Sequence, residues 1–144
     1  MAAKGPSRKQ ARRDAVFVLY QRDVTGRPVD ELLADVEVTQ GYAADSFTAL
    51  AVDGVLGGLE ALDATLSAHL HDWSLDRLAP LERSILRLAL YEIENGVTPP
   101  EVAVDEAVRL TKRYSTDEAG ALVNGVLGGI LRRRQEEAGG AQPE

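Results

Sequence analysis

Four cations stand close together near the start of the chain. In "SRKQARRDAVFVLYQRD" (residues 7–23), Arg8 and Arg12 are four apart, and so are Lys9 and Arg13. At 100° per residue a helix would place them in an arc of about 140°. Tyr20 projects into the same arc two turns later. Cations at this spacing meet phosphates, which supply most nucleic-acid affinity, and an aromatic ring beyond them can stack an unpaired base. RNA sequence is read mainly in single strands, because the A-form major groove is too narrow for side chains. The arc therefore reads as an RNA contact. The bland alternative is a solvated terminus with Tyr20 in the core. On the RNA reading the four charges do not support the core, so replacing all four with alanine is expected to leave the helices intact.

Other reactive residues form no constellation. "HLHD" supplies His69, His71 and Asp72, but residues two apart on a helix point to different faces and cannot readily share a metal. The chain has no cysteine, which removes disulfides, thiolate metal sites and Cys–His catalysis. Glu92 with Glu94, or Asp105 with Glu106, could be read as paired carboxylates, but on helices such pairs are usually solvated faces. No metal, cofactor or enzymatic activity is expected.

"VDGVLGG" (residues 52–58) recurs as "VNGVLGG" (residues 123–129), with six of seven positions identical. A phosphate-binding loop would need a lysine and a hydroxyl after the last glycine, and a strand before the first. Neither repeat has them. At helical spacing Gly54, Gly57 and Gly58 share a face, as do Gly125, Gly128 and Gly129. Each interior glycine costs roughly 1 kcal/mol relative to alanine, so close helix crossing is the expected compensation, with neighbours filling the bare stripe.

The elements that must position these residues are helices throughout. Ser7 can cap a helix from about Arg8 to Val24, closed by Gly26 and Pro28. "VDELLADVEV" is a short second helix, and the chain from about Asp45 to Trp73 reads as one long helix. Ser74 caps the turn "SLDRL". Pro80 and the Pro99–Pro100 pair suit the first turns of two further helices, and Ser115 or Thr116 caps the last. Arg132, Arg133 and Arg134 fall near the end of that helix, where cations suit the negative dipole end. The architecture is all-α, with about six or seven helices. A single domain is expected over residues 1–135, in lobes of about 8–73 and 80–135, with a disordered tail over 136–144. The net charge is −7, yet residues 1–13 hold five cations, including Lys4, and no acid. A basic arm on an acidic body is the natural reading. With no apolar leader or membrane-length apolar run, the chain is expected in the cytoplasm.

"LERSILRLALYEIENG…PPEVAVDEAVRLTKRYSTDEAGALVNGVLGG" resembles the signature half of the NusB transcription antitermination family, and "ARRDAVFVLYQRD" is similar to that family's opening helix. The likeness covers about residues 8–131. It implies two three-helix lobes packed into one bundle and no catalysis. It further implies binding of single-stranded boxA RNA together with NusE, a ribosomal small-subunit protein, in a complex that joins elongating RNA polymerase, notably on ribosomal RNA operons. By this resemblance Arg8, Lys9, Arg12, Arg13, Tyr20 and Glu118 would contact RNA, and Leu81, Glu82, Arg83 and Arg87 would meet NusE. Leu122 stands where some members carry an aromatic. The alternatives are a helical protein–protein adaptor without RNA contact, and a stand-alone module related to accessory domains of ribosomal RNA methyltransferases.

Overall fold

The computed structural model describes residues 5–140; Lys4 and residues 141–144 of the expected tail lie outside them. Seven α-helices and one 3-10 turn are present among these residues: α1 (Arg8–Thr25), α2 (Val29–Gln40), α3 (Ser46–Gly57), α4 (Leu59–Ala68), the turn Leu75–Arg77, α5 (Pro80–Glu94), α6 (Pro100–Tyr114) and α7 (Asp117–Gly140). None is long and apolar enough to cross a membrane. The all-helical expectation holds.

The local signals at helix ends act as expected. Ser7 and Gln10 form a reciprocal capping box, the Ser7 Oγ accepting from the Gln10 N–H at 3.1 Å and Gln10 Oε1 accepting from the Ser7 N–H at 2.9 Å. Gly26 closes α1 in the left-handed conformation, φ 70°, where a Cβ would be strained. Pro80 and Pro100 occupy first-turn positions of α5 and α6, where a missing N–H costs nothing. Thr116 Oγ1 accepts from the Ala119 N–H at 3.0 Å and so caps α7.

Helix α5 is the axis of the bundle. Ser84, Ile85, Leu86, Leu88, Ala89, Leu90 and Glu92 are all buried, and a helix buried this far around must sit among others. It packs on α1, α3 and α4 on one side and on α6 and α7 on the other. Lobes α1–α4 and α5–α7 thus share one continuous apolar core, from Ala15 and Leu19 through Val52, Leu66 and Leu86 to Val123 and Leu127. At the start of α5, Arg83 bonds Asp23 at 2.8 Å and the carbonyls of Leu75, Asp76 and Leu78. Arg87 grips Asp63 through two bonds of 2.8 and 2.9 Å.

Three expectations are corrected. The long helix from Asp45 is broken at Gly58 (φ −114°, ψ 19°), whose N–H is shared between the carbonyls of Gly54 and Val55. Helix α7 runs on through Glu136 and Glu137 to Gly140, so Arg132–Arg134 are not at its end. Arg133 pairs with Glu137 at 3.1 Å, and Arg134 with Glu94 at 3.4 Å. The glycine repeat acts as a packing device at one position more than at any other. A Cβ on Gly54 would fall inside the Tyr91 ring, 2.6 Å from Cζ and 2.8 Å from the hydroxyl oxygen. Gly129 faces His69 of α4 at 3.4 Å, whereas Gly57 and Gly125 face open space and Gly128 meets only Arg132 of its own helix. What the two copies share is the valines: Val52, Val55, Val123 and Val126 are all buried.

Alanine at Gly54 is therefore expected to destabilise the fold by about 1–3 kcal/mol through overpacking. Gly125→Ala, in an open helix interior, is expected to stabilise by about 0.5–1 kcal/mol. Thermal melts should move in opposite directions; equal shifts would contradict the assignment.

Candidate nucleic-acid interface

The capping box fixes where α1 begins, and so places four cations in its first two turns with no acid in the first. This end carries the positive pole of the helix dipole, where cations are disfavoured by about 0.3–1 kcal/mol each. The surrounding structure supplies compensating carboxylates, and it does so unequally.

Arg12 points inward. It is 5% exposed and Glu92 0%, and the two form a fork-to-fork pair: Nε to Oε1 and Oε2 at 3.2 and 3.0 Å, Nη2 to Oε1 at 2.7 Å. The Thr98 hydroxyl donates to the same Oε1, and Glu106 lies 4.0 Å from Arg12 Nη1. The expectation of a fully exposed four-cation arc is thus wrong at Arg12. So is that of Glu92 as a solvated carboxylate. Arg12 faces α5 because the arc is wide enough for one edge to turn into the bundle.

The other three cations are more open. Lys9 has a side chain 69% exposed, with Nζ 3.8 Å from Glu106. The Arg8 guanidinium lies 4.2 Å above the Phe47 ring centroid. Arg13 is partly buried, its Nη2 reaching Asp14 Oδ1 at 3.4 Å, Gln40 Oε1 at 3.3 Å and the Tyr42 hydroxyl at 3.2 Å. Tyr42 donates in turn to Asp14 Oδ2 at 2.7 Å. Burial and the Asp14 bond raise the Tyr42 phenol above its ordinary value. For Arg13 burial acts downward, but Asp14 and Tyr42 outweigh it and the net shift is upward. Tyr20 is half-buried and Glu118 is exposed in the first turn of α7.

The structure adds residues that sequence reasoning missed. Helix α6 runs beside α1 in the same direction, with Glu106 near Lys9 and Tyr114 near Phe17. A groove of about 260 Å³ separates them, lined by Lys9 and Arg13 on one wall and by Arg109, Arg113 and Tyr114 on the other. Arg109 and Arg113 have the same i, i+4 spacing as Lys9 and Arg13. Applying the α1 criterion to "RLTKRY" would have found them.

The four residues expected to meet a partner protein divide. Glu82 is half-buried, its Oε1 accepting from the Ser115 hydroxyl at 2.9 Å, and Leu81 packs at the edge of the core. Arg83 and Arg87 are committed to Asp23 and Asp63 within the chain, so they shape that face more than they offer free charge. His69 binds the Thr65 carbonyl through Nδ1 at 3.1 Å. Among the described residues no group of three or more His, Asp or Glu is placed to hold a metal.

Because Arg12 is buried, the quadruple alanine replacement is now expected to unfold the chain. Arg12→Ala alone leaves the Glu92 carboxylate buried without its cation, at a cost of about 3–5 kcal/mol. Lys9→Ala should stay within about 0.5 kcal/mol of the wild type. Denaturant titrations of the two single variants would check this; similar midpoints would show that Arg12 carries no such load.

The chain is similar to known proteins over most of its length. The NusB family model matches residues 9–132. The transcription antitermination protein NusB of Rubrobacter xylanophilus is 41% identical over 138 residues, covering 95% of this chain and 99% of that protein. Its counterpart from Exiguobacterium sp. is 42% identical over 126 residues, covering 87% and 97%. Among solved structures, T. maritima NusB superposes with a TM-score of 0.80 at 31% identity, covering 90% of this chain and 93% of that one. A structure of antitermination factors NusB and NusE in complex with double-stranded RNA gives 0.79 at 33% identity, covering 88% and 96%. A bundle of this topology, with a basic opening helix and matches over nearly its whole length, belongs to the NusB family.

Proposed function

We propose that this chain is a transcription antitermination factor that binds boxA-type single-stranded RNA together with NusE and joins elongating RNA polymerase in the cytoplasm, notably on ribosomal RNA operons. The observation that carries the RNA contact is the cluster of cations at the positive end of α1, with Arg8 and Lys9 exposed and Arg13 half-buried. Arg8, Lys9 and Arg13 meet phosphates there. Arg12 serves from behind, fixing the direction of the helix through Glu92. Tyr20 and Glu118 extend the contact. Support for the partner comes from the solved NusB–NusE–RNA assembly, whose NusB chain this protein resembles.

The charge balance gives NusE a physical role. Outside its first turns the chain is strongly acidic, so a phosphate backbone is attracted at α1 and repelled over much of the remaining surface. A basic partner docked on the acidic side would lengthen the positive track. Leu81 and Glu82 present that docking face, and Arg83 and Arg87 hold its shape through their bonds to Asp23 and Asp63.

Three phosphate contacts on a single strand predict a log–log salt slope of about −2, from roughly −0.7 per contact. The triple variant Arg8→Gln, Lys9→Gln, Arg13→Gln is expected to stay folded, lose most of the affinity and show a slope shallower by about 2, at roughly 0.7 per contact. Glu82→Lys is expected to weaken NusE capture and leave RNA binding by the isolated chain intact. Unchanged RNA affinity in the folded triple variant would overturn the assignment of the α1 cations. Tighter binding to a duplex of the same sequence would overturn the single-strand assignment.

A further inference from the structure

The groove between α1 and α6 has two walls, and only one of them belongs to the basic opening helix. We infer that the last turns of α6 are the second wall of the RNA channel: Arg109 and Arg113 meet backbone phosphates, and Tyr114 stacks an unpaired base. This rests on the RNA-binding reading above and adds residues that it does not contain.

Four cations, Lys9, Arg13, Arg109 and Arg113, line this groove around one carboxylate, Glu106. Like charges facing each other across an open groove repel, and a polyanion laid between them relieves that repulsion. The cations of the two helices share a spacing and are staggered by about three residues, since Lys9 faces Glu106 and Phe17 faces Tyr114. On each helix they are four residues apart, about 6 Å along the axis, and the helices run the same way. The groove therefore presents two parallel pairs of charges, suited to a linear chain of phosphates.

The cations of α6 have weak structural duties. Arg113 lies in the last turn, where it suits the helix dipole. Arg109 lies further back and, among the described residues, pairs with Asp105 alone, at 3.0 Å and with both side chains mostly exposed; such surface pairs contribute about 0–1 kcal/mol.

Tyr114 is 37% exposed, so part of its ring is open to a base. Its orientation is set from below by Phe17, ring centroids 5.1 Å apart and planes at 85°. The Arg113 guanidinium lies 5.4 Å from its centroid. A ring whose position a neighbour fixes loses little freedom when a base stacks on it, and Arg113, which lies over the ring, would swing from that face to a phosphate and leave the face to the base.

The test uses the full-length chain and a labelled single-stranded boxA RNA dodecamer, titrated by fluorescence anisotropy over a range of salt, alone and with NusE. Arg109→Gln with Arg113→Gln should make the salt slope shallower by about 1.4, from roughly 0.7 per phosphate lost. Tyr114→Leu, which keeps an apolar contact with Phe17, should weaken binding roughly 5- to 150-fold, and Tyr114→Phe should bind like the wild type. Melting curves accompany each variant; the double glutamine variant alters only exposed groups and carries the test if Tyr114→Leu proves unstable. Wild-type affinity and slope in the α6 variants, while Lys9→Gln with Arg13→Gln loses RNA, would overturn the α6 wall and leave the α1 contact standing. A wild-type chain that binds no RNA even with NusE would sink both.

Discussion

The ion pair between Arg12 and Glu92 ties the functional end of this molecule to its core. It joins α1 to the far end of the central helix, 80 residues away in sequence, and it does so where both groups are cut off from water. Such a pair is weak evidence for added stability, because desolvation offsets most of the Coulombic gain, but its geometry is demanding. With the guanidinium fork seated on the carboxylate, the rotation of α1 about its own axis is set. That rotation decides where the neighbouring cations go. Arg8 turns over Phe47, Lys9 turns toward Glu106 of α6, and Arg13 lines the same groove while its guanidinium reaches Gln40 and Tyr42. The buried cation thus orients the exposed ones.

Arg83 in the first turn of α5 and Arg87 at its middle do comparable work. Bonds to Asp23 and Asp63 fasten α5 to the end of α1 and the middle of α4. The two lobes are therefore pinned at both ends of one shared helix, with apolar packing between. The α1 cations lie near the first pin and Glu82 near the second, and the Glu82–Ser115 bond brings the partner-facing side up to the end of α6.

Much of the fold was legible in the sequence, because its signals are local. A serine three residues before a glutamine, a proline in a first turn and a glycine after the last periodic residue each act within a few residues, and α1, α5 and α6 begin where such signals place them. The break between α3 and α4 was not legible, and the repeat shows why. The same "VLGG" ends a helix at Gly58 and passes unbroken through the middle of α7 at Gly129. No local rule can give both outcomes; packing against Tyr91 and the neighbouring elements must decide. The burial of Arg12 was hidden for a related reason, since its partner is remote in sequence. Arg109, Arg113 and Tyr114 were readable from spacing alone, but only the proximity of α6 to α1 gives that spacing a meaning.

The contact of Tyr91 with Gly54 also constrains how the family can drift. The ring occupies the volume that any side chain at position 54 would need. In a lineage descended from this chain, a larger residue at 54 becomes tolerable only after position 91 has shrunk. The reverse order passes through an overpacked intermediate, so the path between two acceptable pairs has a direction. Position 125, with the same neighbours in sequence but open space around it, carries no such history. The matching glycines of the two copies should therefore diverge at different speeds, Gly54 held in step with a distant aromatic and Gly125 free to change, while the valines around both stay buried.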